Sequence, residues 1–299
     1  MVRARPLMTA AVLALAVPAA GQDQDFSKVE IKTTPLAGSV SMLEGSGGNI
    51  GVSVGPDGVL LVDDEYAPLV HKIEAAVKKL SPQPIRIVVN THWHGDHTGG
   101  NGPLAKEQVV VFAQENVRKR MSAEQFNAFF KHATPAAPPE ALPIVTFADG
   151  ITFHVNGDDI EVIHVAPAHT DTDSIIFFRK ANVAHAGDIF FNRVYPFIDV
   201  SSGGSINGMV AAADLILGRI DDQTKVIPGH GPPGGKADLK AYRDMLATVR
   251  DRIQKAIREG KTLDQVVASK PTAEFDAVWG KGFLDPGHFV ALIYTGLKQ

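Results

Sequence analysis

The stretch that decides the fold is Thr91-His92-Trp93-His94-Gly95-Asp96-His97-Thr98-Gly99-Gly100-Asn101. It directly follows Ile85–Val89, a run that is apolar except for Arg86 and that predicts a buried strand. Its three histidines and one aspartate cannot all face one way on a regular strand or helix, whereas a loop containing glycine can wrap them around one centre. Burying these groups together would be costly without a metal ion to satisfy their lone pairs. We therefore predict a metal site at the end of this strand.

Further candidate ligands occur downstream, each shortly after a predicted strand. A lone histidine or aspartate next to glycine is usually part of a turn, so each position alone is a weak signal. Their repeated occurrence at strand ends makes the set informative. The predicted strands and the ligands that follow them are Ile160–His164 with His169, Val183–Ala186 with Asp188, and Lys225–Ile227 with His230.

The remaining pattern predicts an α/β (α+β) protein. Short runs rich in valine, leucine and isoleucine predict strands at Val40–Leu43, Ile50–Val54, Val59–Val62, Val109–Phe112, Ile151–Val155 and Ser174–Phe178. Apolar residues at helical spacing predict helices at Ala67–Leu80, from Gln114 to about His132, and at Leu239–Glu259. Two β-rich halves that each carry helices indicate two sheets packed face to face with helices outside, an αββα sandwich. From Lys236 onward the pattern predicts a helical cap.

The motif and the later histidines and aspartate resemble the metallo-β-lactamase superfamily, whose His-x-His-x-Asp-His motif opens a dinuclear metal site. The resemblance covers roughly residues 40 to 232 and implies the αββα sandwich of that family. We expect the family domain at residues 27–235 and a C-terminal helical extension at residues 236–299. The resemblance implies one metal held by His92, His94 and His169, a second held by Asp96, His97 and His230, and Asp188 bridging the two.

The donor set favours two zinc ions per chain. The chain contains no cysteine, so every ligand is nitrogen or oxygen. Imidazole-rich sites suit Zn²⁺, although iron and manganese also bind imidazole and carboxylate. Such a pair would hold a bridging hydroxide, because metal ions lower the pKa of bound water to roughly 7. We therefore expect a hydrolase of acyl bonds in small molecules, a β-lactam, a lactone or a thioester, in which Asp96 also orients the nucleophile.

This chain differs from particular branches of the superfamily at ligand positions, and these differences affect which reaction is expected. The best-known dinuclear β-lactamases use a cysteine on the second metal, and another β-lactamase subclass generally lacks the bridging aspartate present here as Asp188. The flavodiiron branch has glutamate where this chain has His94. The main alternative is an oxidoreductase similar to the persulfide dioxygenases, which use one iron. A binding protein without catalysis is disfavoured by the complete ligand set.

Several residues near the motifs are expected to support the site. Asp63 and Asp64 end a strand and resemble the carboxylate that supports the metal loop in this family, which predicts a role in orienting ligand histidines. Trp93 is expected to wall the cleft or to pack. The segment from Phe190 to Ser205, with Asn192 and Tyr195, is expected to shape the substrate pocket. His185 is expected to be structural, and the same is expected of His288 in the cap, with a place at the cleft as the alternative.

The first 21 residues indicate export. Arg3 and Arg5 precede the apolar run Leu7–Ala20, and small residues before Gln22 offer a cleavage site, as in a secretory signal peptide. We expect a periplasmic or secreted protein without a membrane anchor. Cleavage removes two positive charges, so the net charge changes from −4 to −6. This mild acidity makes a nucleic-acid partner unfavourable, and the expected partner is a small-molecule substrate. The sequence does not indicate the oligomeric state.

Overall fold

The computed structural model describes residues 25–299. The strands in this part of the chain are β1 Lys32–Ala37, β2 Val40–Glu44, β3 Ile50–Gly55, β4 Gly58–Val62, β5 Ile85–Val89, β6 Val110–Gln114, β7 Gln125–Asn127, β8 His132–Thr134, β9 Val145–Phe147, β10 Gly150–Val155, β11 Asp158–His164, β12 Ser174–Phe178, β13 Val183–His185, β14 Lys225–Ile227 and β15 Gly234–Gly235. The helices are α1 Val70–Leu80, α2 Gly95–Thr98, α3 Asn101–Lys106, α4 Glu115–Met121, α5 Ile206–Leu217, α6 Lys236–Arg258, α7 Leu263–Ala268, α8 Asp276–Trp279 and α9 Pro286–Leu297.

The strands form two large sheets and one small hairpin. The first sheet has the order β1-β2-β3-β4-β5-β6-β9 and the second the order β10-β11-β12-β13-β14-β15, while β7 and β8 pair only with each other. Parallel pairing occurs where the metal loops arise. Val62 of β4 lies opposite Val89 of β5, and His185 of β13 lies opposite Ile227 of β14. The loops after both strands of each parallel pair therefore emerge at the same end.

Burial on both faces of the sheets creates a four-layer sandwich. In β4, Leu60 and Val62 pack between the two sheets, whereas Leu61 packs outward with Ile73 of α1. On the far side, one core joins the second sheet to helices α5, α6 and α9. Strands covered on both faces become continuously apolar instead of alternating. The predicted αββα sandwich is confirmed.

The predicted helix from Gln114 to about His132 is wrong beyond its first turns. Helix α4 ends at Met121, and the chain then forms the β7–β8 hairpin. The side-chain oxygen of Asn127 accepts hydrogen bonds from the backbone N–H groups of Phe129 and Phe130, both at 3.0 Å. This local turn competes with helix formation, as asparagine side chains commonly do. Strands β1 and β9 and helix α5 were not predicted.

The C-terminal helices pack directly onto the second sheet and α5. Helix α6 buries Leu239, Tyr242, Leu246, Val249 and Ile253 along one stripe, as its spacing predicts. These residues share one core with the second sheet. The core therefore does not mark a boundary between the family domain and the C-terminal extension, and the boundary at residue 235 stays a prediction. The predicted signal peptide lies outside the described residues. Within residues 25–299, helices that combine the length and apolar character needed to cross a bilayer do not occur.

Candidate metal centre

Loops at one end of the two sheets bring all the predicted ligands together. They fall into two groups, one of four residues and one of three, whose ligand atoms lie within 4.8 Å of one another in each group. The motif after β5, the loop between β11 and β12, and the loops after β13 and β14 supply them. The first group is His92, His94, His169 and Asp188, and the second is Asp96, His97 and His230.

Each of the three histidines of the first group points one ring nitrogen toward a common centre. His94 Nδ1 lies 3.2 Å from His92 Nε2 and 2.9 Å from His169 Nε2. Their outer nitrogens have acceptors: His92 Nδ1 lies 3.0 Å from Thr91 Oγ1, and His169 Nδ1 lies 2.8 Å from the carbonyl oxygen of Phe197. A neutral imidazole has one N–H, so the inner nitrogens present lone pairs. Converging lone pairs fit a bound metal ion.

Burial favours the neutral imidazole of His92 and of His169. It lowers the pKa of His92 well below its ordinary value and that of His169 to about 4, although the Asp188 carboxylate opposes both shifts. Metal ions bind neutral imidazole, so the environment favours the ligating form of both residues.

Asp188 lies between the two groups. Its Oδ1 is 3.1 Å from His97 Nε2, and its Oδ2 is 3.4 Å from both His169 Nε2 and His230 Nε2. His97 Nε2 and Asp188 Oδ1 are shielded from solvent, and their 3.1 Å contact is not a hydrogen bond. Buried polar atoms that make no hydrogen bond are rare in proteins, and a metal ion bound by both atoms would account for the pair. The arrangement fits a carboxylate that bridges two cations.

The carboxylates of Asp188 and Asp96 raise the pKa values of the two histidines in the second group. Burial would lower the pKa of His97, but Asp188 and Asp96 outweigh it and hold this pKa well above the ordinary value. The same two carboxylates raise the pKa of His230 to about 10 against the effect of burial. Conversely, burial would raise the pKa values of Asp188 and Asp96, but the neighbouring histidines hold both below their usual range. Without a metal ion, the protons on His97 and His230 therefore balance the two carboxylates, and a cation that binds here would displace them.

Asp63 orients two ligand histidines, as expected. Its Oδ2 accepts hydrogen bonds from His97 Nδ1 and Thr91 Oγ1, both at 2.8 Å, and its Oδ1 accepts from the Thr91 backbone at 2.7 Å. Thr91 in turn contacts His92. Asp63 is fully buried and has a φ of 65°, a strained conformation for a residue with a side chain. The adjacent Asp64 accepts from the backbone N–H of Gly100 at 2.9 Å and so supports the end of the motif loop.

Two glycines allow the backbone to close over the ligands. A Cβ atom at Gly48 would lie 2.0 Å from Cε1 of His97, and one at Gly229 would lie 1.9 Å from Oδ1 of Asp188. Neither ligand can move away, because both are buried. Residues with a side chain are therefore excluded from these positions.

Asp199 is a site residue that the sequence analysis missed. Its Oδ2 accepts hydrogen bonds from His94 Nε2 at 3.1 Å and from Ser202 Oγ at 2.7 Å, and the residue is buried. Burial would raise the pKa of Asp199, but the bond from His94 lowers it below its usual range. An aspartate that lies 11 residues beyond Asp188 in an aromatic-rich loop carries no sequence signal that sets it apart.

Tyr195 and Asn192, which were expected to border the cleft, make structural contacts instead, and Trp93 packs, which is one of the two roles expected of it. Tyr195 does not line a pocket, because it is fully buried, stacks on Phe289 and donates its hydroxyl to Asp276 at 2.8 Å. Trp93 packs in a small apolar cluster beside α4. Asn192 donates to the carbonyl of Pro232 at 2.8 Å and thereby braces the loop that carries His230. The apolar environment of the C-terminal helices overrides the expectation for Tyr195.

The family of this chain follows from comparison with known proteins. A family model described as the metallo-beta-lactamase superfamily matches residues 43–230, which include every candidate ligand. The match spans more than half of the chain. The protein belongs to the metallo-β-lactamase superfamily.

Individual relatives are distant. A linear primary-alkylsulfatase from Pseudomonas sp. is 22% identical over 252 residues, which cover 71% of this chain and 48% of the relative. An atrochrysone carboxyl ACP thioesterase from Aspergillus fumigatus is 26% identical over 196 residues, which cover 65% of this chain and 38% of the relative. This chain therefore spans half or less of the length of these two curated relatives.

Solved structures share the fold. The stereoselective inverting sec-alkylsulfatase Pisa1 from Pseudomonas sp. matches with a TM-score of 0.64 and 19% identity, over 89% of this chain and 50% of that chain. A metallo-beta-lactamase from Pontibacter korlensis matches with a TM-score of 0.61 and 19% identity, over 73% of this chain and 99% of that chain. At these identities the likeness concerns the fold alone.

Proposed function

We propose that this protein is a hydrolase with two zinc ions that cleaves acyl bonds in small molecules. The observation that carries the proposal is the position of Asp188, whose two oxygens face both histidine groups. Nitrogen donors with a shared carboxylate suit zinc. His92, His94 and His169 would hold one ion, Asp96, His97 and His230 the other, and Asp188 both. When bound, such ions activate water at neutral pH and polarise the bond that is cleaved.

The chain's own residues hold this centre rigid. Asp63 fixes His97 directly and His92 through Thr91, while Asp199 fixes His94. Among the ligand carboxylates, Asp96 is 24% exposed and Asp188 only 5%. Asp96 is therefore the carboxylate that an incoming water and substrate reach, and we assign it the role of orienting the attacking water.

The substrate class is inferred from the chemistry of the site. An open centre that activates water favours electrophilic carbonyls with leaving groups that need little protonation, such as β-lactams, lactones and thioesters. The thioesterase among the relatives supports this choice. We expect β-lactam hydrolysis to be measurable but modest, with a kcat/KM below the ~10⁴ M⁻¹s⁻¹ typical of evolved enzymes. A lactone or thioester should match or exceed it.

A second candidate is hydrolysis of alkyl sulfate esters. A linear primary-alkylsulfatase is among the curated relatives and matches 71% of this chain. A parallel assay of the zinc-loaded protein with a penicillin, a cephalosporin, a carbapenem, a homoserine lactone, a glutathione thioester and dodecyl sulfate ranks these options. Dominant turnover of the sulfate ester would replace the acyl-bond proposal. Carbapenem or penicillin turnover far above the others would identify a dedicated β-lactamase.

We further propose that the protein is exported to the periplasm or secreted, as its first 21 residues indicate. Sequencing the N-terminus of the protein recovered from the periplasmic fraction tests this. Recovery of a chain that begins at Gln22 supports export, and an uncleaved chain confined to the cytoplasm contradicts it.

A further inference from the structure

The β7–β8 hairpin lies beside the metal ligands although it belongs to neither large sheet. Two hydrogen bonds connect the tip of the hairpin to the loop that follows Asp188. Asn127 Nδ2 donates to Asp199 Oδ1 at 3.2 Å, and the backbone N–H of Ala128 donates to Ser201 Oγ at 3.0 Å. Asp199 also holds His94. One buried carboxylate therefore connects the hairpin tip to a metal ligand.

Aromatic rings of the loop that follows Asp188 and of the hairpin extend from the metal ligands toward the C-terminal helices. The Phe197 ring lies 6.2 Å from the ring of His94 and 6.1 Å from that of His169. Phe130 and Phe129 pack on Phe197 at 4.8 and 5.9 Å. These three rings, Phe129, Phe130 and Phe197, form what we call the aromatic wall.

The aromatic wall presents apolar surface next to a polar centre. Phe129 and Phe130 are only half-buried, and the far side of Phe129 lies 6.2 Å from the ring of His288 at the start of α9. Partly exposed rings beside reactive groups are typical of ligand sites, in which apolar surface gives affinity and a few polar groups fix orientation. The Asn127–Asp199 contact holds this surface at a fixed position relative to His94.

We propose that the aromatic wall is a substrate subsite that binds an apolar chain or ring next to the bond that is cleaved. This rests on the proposed function and narrows it to substrates with an apolar group, such as medium-chain acyl compounds. Phe129 and Phe130 determine specificity by contact with that group, and the polar metal centre binds the reacting end.

The test measures how chain length affects turnover and binding. N-Butanoyl, N-hexanoyl and N-octanoyl homoserine lactones serve as substrates, and butanoate, hexanoate and octanoate are titrated calorimetrically into the zinc-loaded protein. In the wild type, kcat/KM and affinity should rise about twofold to fourfold for each added methylene, as expected for methylene burial. Phe129→Ala and Phe130→Ala should flatten both dependences, whereas Phe129→Leu should keep most of the effect.

Phe126→Ala is the matched control, because Phe126 lies on the same hairpin but is 60% exposed. It should retain the wild-type dependence on chain length. All variants should bind the same amount of zinc, which separates a subsite effect from loss of the metal centre. An affinity for carboxylates that does not change with chain length, or an equal effect of Phe126→Ala, overturns the subsite. Carboxylate binding that depends on chain length, without turnover of any lactone, thioester or β-lactam, leaves the subsite standing and overturns the acyl hydrolase proposal.

Discussion

Asp188 is the residue on which the two-metal account depends most. It contacts histidines of both groups, and substitution removes a ligand from each proposed zinc ion. Loss of a residue that only orients a metal ligand typically costs 10–100-fold, so Asp188→Ala should lower turnover by more than about 100-fold. Zinc content should fall as well, while circular dichroism stays that of the wild type. Replacement of the exposed Asp214 by alanine is the control, and wild-type rates in Asp188→Ala would refute the bridging role.

Asp199 tests whether the groups behind the ligands matter. Asp199→Asn keeps the size of the side chain but removes the charge that faces His94. We expect zinc affinity, measured by competition with a chelator, to fall about 10- to 100-fold. Ser201→Ala, which leaves the bond to His94 intact, should have little effect. Unchanged affinity in Asp199→Asn would show that this carboxylate only packs.

Proton release should accompany zinc binding at neutral pH. Asp188 and Asp96 raise the pKa of His230 to about 10 and that of His97 well above its ordinary value, so both residues are protonated in protein stripped of metal. Zinc must displace these protons, and its affinity should therefore fall as the pH is lowered. Calorimetry in buffers of different ionisation enthalpy measures the release. Binding without proton release between pH 6 and 8 would contradict this electrostatic description.

At the scale of elements, the sequence predicted most of what positions the site. The strands that border the ligand loops are mostly apolar and adjoin polar motifs, so Ile85–Val89, Ser174–Phe178 and Lys225–Ile227 were predicted with the bounds that the structure has. The β7–β8 hairpin was not predicted, because its turn depends on one Asn127 side chain within a sequence of helical spacing. Asp199 was missed because its role exists only through the fold, which brings it to His94.

His185 of strand β13 tests whether a buried histidine close to the metal centre is structural or a ligand. It is fully buried, and its ring nitrogens bond to backbone groups, the carbonyl of Asn49 at 3.1 Å and the N–H of Gly187 at 3.1 Å. His185→Ala leaves these groups without partners, which should lower the free energy of unfolding by about 1–3 kcal/mol. Zinc content should not change. Denaturant titration of the zinc-loaded variant provides the measurement, and loss of zinc with unaltered stability would assign His185 to the metal centre.

At the scale of the whole molecule, the polar candidate metal centre lies at one edge of the apolar sandwich. Parallel pairs in each sheet bring their following loops to a common end, where Asp63 meets the motif loop and Asp188 meets His230. The C-terminal helices extend the core of the second sheet and place His288 of α9 against Phe129 of the hairpin. The candidate metal ligands are thus positioned by the sheets, whereas the aromatic wall comes from a hairpin and a loop. Hairpins and loops are the parts of a common fold that vary most readily.

Metal analysis of the intact protein tests the central claim most directly. The chain should be purified without chelator and its metal content measured by mass spectrometry together with the protein concentration. Because both ligand groups are complete and share Asp188, the account predicts two zinc ions per chain in the wild type. One iron ion per chain and no zinc would contradict it and would favour a mononuclear oxidoreductase similar to the persulfide dioxygenases.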